Sequence, residues 1–320
     1  MVLIGILVVL VVVLLFIIRK LRRDLISVVL TEEEFSESQF SSGKFNVLTY
    51  NIAGLPQGIS AAKMPRRLSI TEIGEKVSRF DFVNVQEDFN YNTAFYSLNT
   101  HLYRTEHKGK IPLGDGLNTL SNYPIVAYHR IPWRHCSGPD CWTVKGFSYV
   151  EIQLDHNVFI DVYNVHANSS DVARAARARR ENLRQLAQYI QEHSSNKPVL
   201  VMGDFNAHYA YKRDNLHEFL VTTGLSDGWV QFVQQGVFPE IKPKFKAQDM
   251  LSLNNDTESL DKIFFRNSKN FRFIPKDYLV ESEYFRNADG EPLSDHLAVS
   301  MSFDWEWDGK DREESPIVLN

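Results

Sequence analysis

The chain has 320 residues, 43% of them hydrophobic and 23% charged, and a formal net charge of −5. That is room for one large domain or two small ones, without the overall basic footprint of a protein that lives on nucleic acid. Two cysteines, Cys136 and Cys141, are too few for a disulfide scaffold or a complete zinc site, and the chain has no internal repeat or long low-complexity tract.

The first 18 residues carry no charged side chain and are almost wholly Val, Leu and Ile. As a helix they would rise about 27 Å, close to the hydrocarbon thickness of a bilayer. The run ends at a basic stop, Arg19 to Arg23, with no positive charge before it and no small-residue cleavage site. Residues 1–18 are therefore read as an uncleaved transmembrane anchor. The basic cluster favours the cytosolic side for the rest of the chain, with a luminal or extracellular side left open. Residues 19–44 comprise this stop and a tether rich in Ser and Glu.

Residues 45–51 read as a strand ending at Asn51. Leu68, Ile70, Ile73, Val77 and Phe80 lie near helical spacing, and residues 81–87 form a second strand ending in Glu87. Residues 115–125 look like a turn into a short strand. Residues 146–154 alternate as a strand, and residues 158–165 form another that ends in His166. A helix is expected over 171–193, with Asp171 as N-cap and Leu183, Leu186, Ala187 and Ile190 as its apolar stripe. The apolar run from Val199 to Met202 then delivers Asp204 and Asn206 into a turn. A short helix over 215–223 closes at Gly224, and 236–258 is mostly loop. A strand covers 260–265, a loop comes next, and a last strand alternates through Leu297, Val299, Met301 and Phe303. Residues 304–320 read as an acidic tail. The pattern predicts one α/β domain over 45–303, built as a four-layered sandwich of two packed mixed sheets with helices outside.

Asn51, Glu87, His166 and Asp204 each stand at a strand's exit, and Asp295 and His296 just before a strand's entry. Strand ends cluster at one rim of a layered fold, so these side chains can converge. Carboxylates and a carboxamide are hard-oxygen ligands for Mg²⁺, and imidazoles move protons near neutral pH.

Residues 48–51 (Leu-Thr-Tyr-Asn), Gln86-Glu87, His166, residues 203–206 (Gly-Asp-Phe-Asn), Leu260-Asp261 and Ser294-Asp295-His296 occur in an order that resembles the endonuclease/exonuclease/phosphatase superfamily, with its deoxyribonuclease-I-like fold. The resemblance implies that Glu87, helped by Asn51, holds Mg²⁺ (Mn²⁺ being an alternative ion), with Asp295 completing the metal site. It implies that Asp204 and Asn206 orient and activate water. His296, steered by Asp261, would act as base or phosphate stabiliser, and His166 would stabilise phosphoryl charge or assist the leaving oxygen.

Apurinic-site endonucleases carry a Lys soon after the metal-binding Glu, and this chain has Asp88-Phe89-Asn90 there. Inositol-polyphosphate phosphatases carry an Arg after Gly-Asp-x-Asn, where Ala207-His208 stand here. The stretch from Gly114 to Ile125, the two cysteines and the segment from Lys145 to Ile152 instead look like neutral sphingomyelinases. The expected function is a membrane-anchored, Mg²⁺-dependent phosphodiesterase, with a membrane lipid as both substrate and anchoring surface. Nucleic acid or soluble phosphate esters are the alternative substrates, and a non-catalytic anchored binding domain is the third reading. No protein partner is inferable. Lys145 is a candidate for substrate binding, as is Arg177 from the arginines at 174, 177, 179, 180 and 184. Trp133, Trp142 and Phe147 are read as core rather than lipid contacts. The cysteines are left as either a pair or two thiols, and Asn168 and Asn255 head glycosylation sequons.

Overall fold

The computed structural model describes residues 5, 9–14, 25–27 and 40–309. Most of the expected anchor and most of the tether fall outside the described residues, and so does the end of the acidic tail. Among the described residues no helix is long and apolar enough to cross a membrane.

In chain order the strands are β1 (Leu25–Ser27), β2 (Ser42–Asn51), β3 (Phe82–Gln86), β4 (Tyr103–Arg104), β5 (Asn118–Ser121), β6 (Ile125–Pro132), β7 (Gly146–Asp155), β8 (Val158–His166), β9 (Val199–Asp204), β10 (Ser226–Asp227), β11 (Asp261–Arg266), β12 (Phe271–Val280) and β13 (Val299–Trp307). The helices are α1 (Arg66–Lys76), α2 (Asn92–Phe95), α3 (Ala173–His193), α4 (Leu216–Thr223) and α5 (Gly228–Phe232). One sheet has the order β1-β6-β7-β8-β9-β11-β10 and the other β12-β13-β2-β3-β5-β4. Both are mixed: β8 pairs with β9 in parallel, as β2 does with β3, and the other pairings are antiparallel. Each parallel pair requires a crossover, which α3 and α1 supply. The expected pair of packed mixed sheets with helices is the architecture found.

The strands alternate as burial on two faces demands. From β2 and β3, Phe45, Val47 and Phe82 point into the core between the sheets, with Val162, Leu200 and Met202 opposite. Leu48, Tyr50, Val83 and Val85 point the other way and pack on Ile70, Ile73 and Val77 around α1. Full burial of each large apolar side chain contributes about 1.5–3 kcal/mol. Polar groups lock the layers just beneath the rim. Gln86 Nε2 donates to Asn164 Oδ1 (2.7 Å), Asn164 Nδ2 to Val85 O (2.9 Å), and Asn84 Nδ2 to Tyr163 O (2.9 Å).

Several elements differ from the sequence reading. Helix α1 begins at Arg66, and Leu68 is exposed rather than part of its apolar stripe. Helix α3 begins at Ala173 with Val172 at its cap; the Asp171 side chain does not cap it, and the Asp171 carbonyl accepts from Tyr211 Oη. Strand β12 falls in an expected loop. It is an edge strand whose exposed positions, among them Arg272 and Lys276, dilute the apolar signal. Strand β13 runs beyond Phe303 to Trp307, because Trp305 is buried against Phe271 and Gly43. A side chain at Gly43 would meet the indole at 2.7 Å, and it is this packing that draws Ser42–Lys44 from the expected tether into β2.

Asp161 is a buried carboxylate far along β8 from its exit. It accepts from Ser194 Oγ (2.5 Å) and Tyr149 Oη (3.1 Å), and Lys197 Nζ lies 3.4 Å away. Burial pushes its pKa up to about 6 against these favourable partners. The native state thus holds this proton more tightly than the unfolded chain, so the group's contribution falls as pH rises from about 4 to 6, by roughly 3 kcal/mol. Asp161→Asn is expected to lack that pH dependence. Urea unfolding of both proteins between pH 4 and 7 measures the difference, and parallel pH curves would contradict it.

Candidate active site

The parallel pairs set the site's register. Asn51 pairs with Gln86, which puts Asn51 beside Glu87. On the other sheet Asp204 is flanked by His166 from β8 and Asp261 from β11. The chain leaves these strands through left-handed backbone: φ is 49° at Ala53, 60° at Glu87 and 50° at Asn206. For non-glycine residues this costs of order 1 kcal/mol or more each and persists only where the surroundings enforce it. Gly54 and Gly116 do so for Glu87, since a side chain at either would strike the Glu87 backbone, at 2.1 and 2.9 Å.

Asn51 bridges the two sheets. Its Nδ2 donates to Glu87 Oε1 (3.3 Å) and Asp204 Oδ2 (3.2 Å), while its Oδ1 accepts from Ala53 N. Asp204 Oδ1 accepts from Asn206 N (3.0 Å), and Asn206 Nδ2 donates to Ala167 O (3.3 Å). His166 Nε2 stands 3.5 Å from Asp204 and 4.0 Å from Glu87. His296 Nδ1 is 2.8 Å from Asp261 Oδ2, with its Nε2 4.0 Å from Asp204 Oδ2. Seven of the eight residues expected to form the catalytic and metal set are thus joined through one network: Asn51, Glu87, His166, Asp204, Asn206, Asp261 and His296. The eighth, Asp295, adjoins it through Ser294, whose Oγ donates to Asn51 O (2.7 Å).

The electrostatics divide these groups by role. Burial raises the pKa of Glu87, and the charge of Asp295 adds to it. Burial, reinforced by Asp261, takes Asp204 up to about 6. Burial holds His166 well below the ordinary histidine range, helped by Lys145 and His296. His166 is therefore neutral, and its contacts with the carboxylates are polar contacts rather than ion pairs. Burial pulls His296 down as well, but the charge and hydrogen bond of Asp261, with Asp204 and Asp295, take it up to about 10. One imidazole is neutral and the other cationic at pH 7.

A second ring of residues fixes this set. Arg66, fully buried, donates to the carbonyls of Ala53 (3.0 Å), Leu293 (2.8 Å) and Ile52 (2.7 Å). It ties the exit of β2 to the approach of Asp295. Trp133 Nε1 donates to His166 O (2.7 Å). Cys136 and Cys141 form a disulfide. Within their loop, Asp140 accepts from Ser169 N (2.6 Å) and pairs with Lys145 (2.8 Å). Lys145 is thus an electrostatic neighbour of the cluster whose ammonium is held by Asp140. Trp133 and Phe147 are buried as expected, whereas Trp142 is exposed. Asn168 is buried, with Oδ1 accepting from Ser137 N (2.6 Å), so it is unsuited to carry a glycan.

Arg177 is exposed on α3. The buried arginine of that helix is Arg179, which the sequence groups with its neighbours. It donates to Asp214 Oδ1 (2.9 and 2.6 Å) and to the carbonyls of Asn168 (3.0 Å) and Ser170 (2.9 Å), joining the loops after His166 and Asn206. Arg179→Ala is expected to destabilise the domain by about 3–5 kcal/mol, since it strands a buried carboxylate. Arg179→Lys should recover only part, lacking the forked geometry. Denaturant midpoints measure both, and a loss under about 1 kcal/mol for Arg179→Ala would refute the tie.

The donor set fits a hard divalent cation. The charge of Asp295 adds to the cost of ionising Glu87, and the polar partner of the Glu87 oxygen is a long amide bond, so positive charge beside Glu87 would relieve that cost. Among the described residues, no group of three or more His, Cys, Asp or Glu is arranged to hold a metal.

The sequence profile of the Endonuclease/Exonuclease/phosphatase family matches residues 48–296, and the chain belongs to that family of phosphoester hydrolases. It is 36% identical over 269 residues to a sphingomyelinase of Mycobacterium tuberculosis, covering 82% of this chain and 53% of that protein. The chain spans about half the length of the curated relatives it matches. Its fold is similar to that of sphingomyelinase C from Streptomyces griseocarneus (TM-score 0.54, 19% identity, 81% of this chain and 99% of that one). It is also similar to a beta toxin variant from Staphylococcus aureus with bound magnesium ions (TM-score 0.55, 16% identity, 81% and 99%).

Proposed function

We propose that the chain is a membrane-anchored, Mg²⁺-dependent phosphodiesterase that cleaves the head group of a sphingomyelin-type phospholipid. The observation that carries this reading is the convergence of Glu87, Asp295, Asp204 and His296 in a chain 36% identical to a sphingomyelinase.

Glu87 and Asp295 would hold the cation, and when bound it would supply charge neutralisation for the phosphate. The protein's own groups do the rest. Asp204, with one oxygen capped by the Asn206 amide, accepts the proton of a water that Asn206 orients toward phosphorus. A buried carboxyl near pKa 6 suits that task at neutral pH. His296 Nε2 stands on the Asp204 side, so in an in-line displacement its positive charge serves the phosphoryl oxygens rather than the oppositely placed leaving oxygen. Neutral His166 offers its Nε2 to the same oxygens. The new bond joins water oxygen to phosphorus, the bond from phosphorus to the lipid alcohol breaks, and the departing alcohol takes its proton from solvent.

The test sets sphingomyelin, phosphatidylcholine, plasmid DNA and a soluble phosphate monoester side by side, with Mg²⁺ and with EDTA. Phosphocholine release from sphingomyelin that EDTA abolishes is expected. Nicked plasmid with intact sphingomyelin would overturn the substrate.

The uncharged run over 1–18 supports a single-pass anchor. The disulfide supports an oxidising compartment for the domain, against the cytosolic side favoured by Arg19 to Arg23. A thiol count on native membranes decides, since two reactive thiols would return the domain to the cytosol.

A further inference from the structure

The loop after α5 takes no part in the proposed chemistry. Gln235 and Gly236 turn the chain through left-handed conformations, φ 52° and 83°, and it then runs irregularly to residue 249. The base of this loop is fixed. Lys242 N donates to Ala210 O at 2.9 Å. The Phe245 ring lies 4.8 Å from that of His208 and stacks on Tyr211 at 5.1 Å, while Phe238 packs on Tyr209 and His217. His208 is two residues beyond Asn206, so the loop stands at the catalytic rim.

The tip of the loop is apolar and open. Val237 is 67% exposed and Ile241 57%, beside exposed Phe232 and Phe238. Lys242, Lys244 and Lys246 are exposed in alternation, next to exposed Lys212 and Arg213 on the segment that Phe245 covers. Glu240 is the acid within 236–248, and Asp249 is engaged in capping the next turn. In a chain of net charge −5, positive charge is thus gathered around exposed aliphatic groups.

We propose that residues 236–248, with Lys212 and Arg213, dock the catalytic rim on an anionic lipid bilayer. The apolar tip enters the interface, and the lysines lie at the level of the negative head groups. The aliphatic tip favours lipid over nucleic acid. Val237 and Ile241 offer no face for stacking a base, and the loop's two phenylalanines are engaged, Phe245 with His208 and Tyr211 and Phe238 with Tyr209 and His217. The proposal rests on the reading above only in that the substrate is membrane-borne, and its test needs no turnover.

The experiment uses the full chain in lipid nanodiscs, with an environment-sensitive fluorophore on Val237→Cys. The disulfide leaves that thiol as the point of attachment. With phosphatidylserine at roughly a third of the lipid, emission should shift to the blue and rise about twofold or more over phosphatidylcholine alone. High salt should reverse the change, as should the combined K242E, K244E and K246E substitutions. The same label on Val221→Cys, on α4, should not respond. Equal emission in both lipids, or a response that survives charge reversal, would overturn the proposal. So would a response to a single-stranded oligonucleotide in place of lipid. If the enzyme cleaves some other phosphoester, the fluorescence result still stands, so the two readings fail separately.

Discussion

Glu87→Gln should lower turnover on the order of a thousandfold, about 4 kcal/mol of transition-state stabilisation, and weaken binding of Mn²⁺ as a spectroscopic probe. The same substitution should make the metal-free domain more stable at neutral pH. Glu87 is largely desolvated, though part of its side chain is exposed, and its pKa is raised, so its native state resists ionisation. A carboxyl whose folded pKa lies above its unfolded value destabilises the fold once pH exceeds the ordinary carboxylate range, and the neutral amide is free of that penalty. Thermal unfolding in EDTA at pH 7 should therefore show a higher midpoint for the variant, and Mn²⁺ titration a lower affinity. Falling stability together with falling activity would mean that Glu87 serves the fold rather than a cation.

Asp261→Asn should act through His296. In the native domain His296 titrates near pH 10 because Asp261, with Asp204 and Asp295, outweighs its burial. Without the Asp261 charge the midpoint should fall toward the ordinary value of about 6.5, so that the imidazole is mostly neutral above about pH 7. A histidine with a raised folded pKa contributes fully to stability below about pH 6.5 and loses that contribution as pH rises toward 10. Wild-type protein in EDTA should weaken over that window, and the variant should lack this part of the slope. Turnover should drop roughly 10²- to 10³-fold, the range for losing one preorganised stabiliser of transition-state charge. Histidine NMR titration of the metal-free protein reads the midpoint directly, and an unmoved midpoint would release Asp261 from this role.

The site is legible in the sequence because its parts are short and local. Each functional residue ends or precedes a strand, and a strand shows itself over five or six residues. Asp204 and Asn206 flank a buried Phe205, which fixes both side chains to one face. The features that the sequence does not expose depend on distant partners. Edge strand β12 exists because β13 pairs with it, and its own residues alternate weakly. Arg66 reads as one basic residue at a helix start, and only folding brings the carbonyl of Leu293 to it. Asn84, Gln86 and Asn164 carry a usable signal, amides inside otherwise apolar strands, but their cross-sheet partners are set by layer packing. Trp142 shows the opposite failure. An aromatic beside buried Trp133 and Phe147 reads as core, while the disulfide-closed loop turns it to solvent.

The two parallel strand pairs bear on how the protein comes to work. Asn51 and Glu87 belong to one sheet, His166, Asp204 and Asp261 to the other, and each group is put in register by its own crossover unit. On the proposed chemistry neither half is competent alone. The oxygen donors proposed for the cation and the water-activating carboxylate meet only when the layers dock and Asn51 spans the gap. Catalysis is then an assay of assembly. A folding intermediate with either sheet formed alone would have native-like secondary structure and no turnover, and activity should return only in step with the amide bonds that close the two sheets.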